Sequence, residues 1–61
     1  MPVITIEALE GRTVDQKRKL VNDVTEAVVK HYKVAPDAVT IVLRDLKKEN
    51  LGKAGKLRVD Q

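Results

Sequence analysis

The chain has 61 residues, 43% of them apolar, and a formal net charge of +3. A lone domain of this length hides only about 60% of its unfolded surface, so it needs a disulfide, a structural metal or a partner. With no cysteine and a single histidine, His31, a disulfide and a thiolate zinc site are excluded, and self-association remains.

Residues 1–61 are expected to form one domain. There is no Phe or Trp, and Tyr32 is the one aromatic residue. The core must therefore be aliphatic and is expected to continue into a neighbouring subunit. No apolar run approaches the roughly 20 residues of a membrane span. Met1 to Thr5 carries no basic stretch or long apolar stretch of a signal peptide, so the cytoplasm is the expected compartment.

Val3 to Leu9 alternates. Ile4, Ile6 and Ala8 share one face, while Val3, Thr5, Glu7 and Leu9 share the other. This period of two, with β-branched residues, predicts a strand. Gly11 then supplies a turn. Thr13 followed by Gln16 fits a capping box at a helix start. Leu20, Val21, Val24, Ala27 and Val28 form an apolar stripe at helical spacing. Asp15 with Lys19, and Glu26 with Lys30, are favourable pairs one turn apart. Lys30, His31 and Lys33 suit a helix C-terminus, and Pro36 marks the exit.

Ala38 to Arg44 predicts a second strand, with Val39, Ile41 and Leu43 on one face and Thr40, Val42 and Arg44 on the other. Lys47 to Asn50 fits a short helical turn, Gly52 to Gly55 a turn, and Lys56 to Val59 a short returning strand. The fold class is α+β: a β-α-β subunit with two parallel strands, one long helix and a short C-terminal hairpin. One helix over two parallel strands leaves an open sheet face, which is a second reason to expect an oligomer.

The charge is uneven. From Arg44 to Arg58 six cations face two anions, whereas the rest of the chain carries six cations and seven anions. That basic third would draw a small anionic substrate, or it would suit a small basic oligomeric binding module for nucleic acid. The second reading lacks stacking aromatics and a recognition helix, so nucleic acid is not the expected partner.

Catalytic side chains are scarce. There is no cysteine nucleophile, no triad and no metal cluster, and His31 reads as a surface or capping residue. The terminus is the exception. Removal of Met1 would leave Pro2 with a free secondary amine. An α-amino group titrates near neutrality, and apolar surroundings or nearby cations lower its pKa further. A base of that strength suits proton transfer. Arg12, just after the Gly11 turn, can hold a carboxylate through its bidentate fork.

Pro2-Val3-Ile4, Leu9-Glu10-Gly11-Arg12, Gln16-Lys17, Leu20-Val21, Val24-Thr25-Glu26-Ala27 and the late Gly52 and Gly55 together resemble the 4-oxalocrotonate tautomerase family. The resemblance spans essentially the whole chain. It implies a homohexamer built as a trimer of dimers, and cofactor-free enol-keto tautomerisation of a small carboxylated dienol. Pro2 would be the acid/base, moving a proton from the dienol to a distant carbon. Arg12 would bind the carboxylate, and Leu51, where the family places an aromatic ring, would form part of the apolar wall. Thr40 stands where the family places a second arginine. Arg44 lies on the same strand face but about 13 Å further on, so it would substitute only from another subunit.

Overall fold

The computed structural model describes residues 1–61. Strand β1 spans Val3–Leu9, helix α1 Val14–Tyr32 and strand β2 Thr40–Leu46. Two short strands, β3 (Gly52–Lys53) and β4 (Lys56–Leu57), close the chain. β1 and β2 pair in parallel, from Val3 opposite Thr40 to Leu9 opposite Leu46. The register is extended at both ends by backbone bonds: Thr40 N–H donates to the Pro2 carbonyl (3.0 Å), and Glu10 N–H donates to the Leu46 carbonyl (2.9 Å).

The capping box forms. Gln16 N–H donates to Thr13 Oγ1 (3.1 Å), while Thr13 N–H donates to Gln16 Oε1 (2.9 Å). The helix ends on Lys33, whose left-handed backbone lets its N–H donate to the Val29 carbonyl. The helix runs back along the sheet, so its last turn returns to the start of β1. Ile4, Ile6, Ala8, Ile41 and Leu43 are half-buried beneath it, together with Val21, Val24, Thr25, Val28 and Val29 of the helix. The expected alternation of both strands is therefore present.

Several local expectations need correction. Pro36–Ala38 forms a 3₁₀ turn, so β2 starts at Thr40 and runs on to Leu46, two residues later than the sequence pattern suggests. Proline fixes the φ of a first helical position, and the tight turn uses up Ala38. Gly52 and Lys53 belong to the hairpin strand, and the two-residue turn is Ala54-Gly55, both at positive φ (54° and 80°). That combination is what a type I′ hairpin requires. The returning strand stops at Leu57, because Arg58–Asp60 coils into another 3₁₀ turn. Of the two expected helix pairs, Lys19–Asp15 forms (3.3 Å). Glu26 instead accepts a long bond from Asn22 Nδ2 (3.4 Å). Leu20 stays 42% exposed at the margin of the stripe.

The single chain has no closed core, since none of its residues is fully buried. Its surface is 5081 Å², against roughly 4,000 Å² for a compact chain of this mass. Its radius of gyration is 14.7 Å, where compact packing gives about 10.5 Å. The excess area, roughly 1,000 Å², exceeds what one partner contributes to a standard interface. The open face of the sheet carries Val3, Thr5, Val42 and the register neighbours Glu7 and Arg44, which form no ion pair, all exposed. No helix is long and apolar enough to cross a membrane.

Candidate active site

Pro2 is half-buried and is tied to the neighbouring strand by its carbonyl. It opens into a cavity of about 430 Å³ between strand and helix. Val3 and Ile4 line the strand side; Ala27, Val28, His31 and Tyr32 line the helix side. The surroundings are thus mainly aliphatic, with one imidazole and one phenol. Met1 projects into solvent at 91% exposure.

The sequence marks His31 as a helix-end surface or capping residue and Tyr32 only as the one aromatic residue. The signal that places them is the antiparallel return of the helix. Ala27 and His31, and Val28 and Tyr32, stand one turn apart, so the final turn presents both pairs to the strand that begins at Pro2.

Arg12 lies elsewhere. It follows β1, whose seven residues span about 23 Å, so it stands beyond the end opposite Pro2. There it shares a cleft with Lys17, Leu20, Leu43, Arg44 and Asp45. Lys17 Nζ donates to Asp45 Oδ2 at 2.7 Å, which ties the helix start to the end of β2. Both partners are partly exposed, and a pair of this kind contributes no more than about 1 kcal/mol. With Asp45 engaged by Lys17, Arg12 and Arg44 remain without a carboxylate partner.

Leu51 is also at this far end. It is half-buried and lines a smaller pocket with Leu9, Lys53, Arg58 and Gln61. Thr40, in contrast, is beside Pro2, opposite Val3 in the sheet. The fold therefore brings Arg12 and Arg44 together, places Leu51 at the same end, and separates all three from Pro2. Within one chain Pro2 has an apolar wall but no cation to hold an anion, while the cations have no base.

The comparisons with known proteins agree with this architecture. The tautomerase enzyme family model matches residues 2–61. A probable tautomerase of Halalkalibacterium halodurans is 44% identical over the full length of both chains. The 2-hydroxymuconate tautomerase of Bacillus subtilis is 39% identical, over 92% of this chain and 90% of its own. A 4-oxalocrotonate tautomerase isozyme from Methylibium petroleiphilum superposes with a TM-score of 0.91 at 44% identity, over 97% of this chain and 92% of that one. The chain belongs to the tautomerase family, whose chemistry is isomerisation, and its β-α-β fold with a C-terminal antiparallel hairpin is the 4-oxalocrotonate tautomerase fold.

Proposed function

We propose that the protein is a cofactor-independent enol-keto tautomerase acting on a small carboxylated dienol such as 2-hydroxymuconate. The observation that carries the reading is Pro2 at the mouth of an aliphatic cavity, under a fully projecting Met1. With Met1 attached, the Pro2 nitrogen is an amide without basicity. Once Met1 is removed it is a secondary amine in a setting that disfavours its charged form. That amine accepts the proton of the 2-hydroxyl group as the carbonyl forms. It then returns the proton to carbon at the far end of the conjugated system, so no redox partner is needed. As pH falls and the amine becomes protonated, it can no longer accept a proton, and kcat/KM falls with it.

Arg12 holds the substrate carboxylate, Arg44 lies beside it as a second cation, and Leu51 keeps water from the reacting atoms. These groups stand at the opposite end of the sheet from Pro2, so the site is assembled from different chains. The excess surface, the absent core and the open sheet face support a homo-oligomer, and a hexamer built as a trimer of dimers fits the family. The basic last third steers anions toward it.

The test is ketonisation of 2-hydroxymuconate and of simpler 2-hydroxydienoates by wild type and Pro2→Ala, with intact mass establishing that Met1 is gone. The variant keeps a primary α-amine in place of the ring-fixed secondary amine, so kcat should fall by about 10²-fold, the lower end of what a positioned base contributes. Equal rates in the two proteins would remove Pro2 from the mechanism.

A further inference from the structure

Beside Leu51, the C-terminal hairpin carries a pocket with two cations to which the reading above gives no contact. It encloses about 160 Å³, the liquid volume of about five water molecules. That is room for a carboxylate and a short stretch of chain. Leu9 and Leu51 form its floor, and Lys53, Arg58 and Gln61 form its polar rim.

Its cations are unspent. The two ion pairs of the chain are Lys17–Asp45 and Lys19–Asp15, so neither Lys53 nor Arg58 meets a carboxylate. Arg58 is held in place by its backbone, whose N–H donates to the Leu51 carbonyl at 2.8 Å. Its guanidinium makes one long bond, from Nη1 to Gln61 Oε1 at 3.4 Å, which leaves its fork open. Lys53 stands directly opposite Lys56 across the hairpin. Like charges opposed on paired strands are destabilising, and a bound anion relieves that repulsion. The apolar floor also sharpens the field of the two cations by excluding water.

The site at Pro2 shows the complementary gap. Thr40, whose N–H donates to the Pro2 carbonyl, offers a neutral hydroxyl beside Pro2, and no lysine or arginine lines the Pro2 cavity. A substrate with two carboxylates would therefore be short of one cation.

We propose that Lys53 and Arg58, over the Leu9–Leu51 floor, form a second anion subsite that takes the distal carboxylate of a dicarboxylic substrate. The inference rests on the proposed tautomerase reading for its catalytic consequence, but the subsite itself is a binding property. Arg58 supplies the bidentate contact and Lys53 a point charge. The pair sets the preference for dicarboxylates over monocarboxylates of the same length.

The experiment compares wild type with the double variant Lys53→Met/Arg58→Gln by calorimetric titration of adipate and of hexanoate, with the assembled mass measured by light scattering. Wild type should bind adipate more tightly than hexanoate. In the variant adipate should weaken about ten- to hundredfold, while hexanoate shifts by less than about twofold, at unchanged mass. The exchange variant Lys53→Arg/Arg58→Lys should recover most of the adipate binding. A parallel loss for both acids, no loss for either, or a variant that no longer assembles would overturn the subsite. The last outcome would make the pair an interface element. Turnover of 2-hydroxymuconate by the same wild-type sample is read separately. Its absence would remove the tautomerase reading and leave the adipate result to stand alone.

Discussion

The amino end of β1 gathers Pro2, Ala27, Val28, His31 and Tyr32 around an aliphatic cavity. The carboxyl end gathers Leu9, Arg12, Arg44, Leu51, Lys53 and Arg58 in clefts rich in cations. One end holds the proposed base in mainly apolar surroundings, and the other holds the proposed anion ligands. A strand length of about 23 Å keeps them apart. The division makes physical sense. A secondary amine stays neutral most easily away from water, whereas guanidinium groups need solvent or an anion to remain charged at low cost. On the proposed reading neither end would perform the reaction alone, and activity would be a property of the assembly.

The largest effect expected of a substitution at the carboxyl end is that of Arg12→Ala. It should lower kcat/KM for a carboxylated dienol about ten- to hundredfold through loss of one charge-assisted contact. The amine chemistry should persist, so the pH dependence of the remaining activity should match wild type. A shifted profile would place the Arg12 of another chain close enough to the amine to tune it within the assembled site.

A second variant leaves both ends intact and attacks what joins them. Val42 is 38% exposed on the open face of the sheet, so Val42→Lys is harmless to an isolated chain. Buried in an assembly, that charge would be costly. Light scattering should show a smaller particle, activity should fall with it, and Tm should depend on protein concentration. A variant with full mass and activity would mean that this face is not used.

The smallest effect is reserved for Thr13→Ala, which removes a cap near Arg12. It should cost about 1 kcal/mol by denaturant unfolding. At saturating substrate the rate should barely change, because the cap holds the helix and not the base.

Much of this division was legible in the residues. The alternation of Val3 to Leu9 set the strand faces, and Thr13 with Gln16 marked the helix start to the residue. Pro2 and Arg12 stood out as chemistry, and the seven-residue strand between them already implied their separation. Other features depended on tertiary context. The start of β2 moved because Pro36 winds a 3₁₀ turn and Thr40 bonds to Pro2, neither of which shows in a run of apolar residues. His31 looked like a helix end because nothing local says which strand a helix end meets. Lys53 and Arg58 read only as members of a basic third, because a two-residue hairpin turn had to bring them over Leu51.

The central claim is that each site draws its base and its anion ligands from different chains. It is tested most directly by mixing equal amounts of two impaired proteins, Pro2→Ala and Arg12→Ala, under conditions that dissociate and then reassemble them. Random exchange in a symmetric assembly should restore about a quarter of the wild-type sites, since each restored site pairs an intact Pro2 with an intact Arg12 from another chain. A reassembled mixture no more active than its two parents would contradict the account.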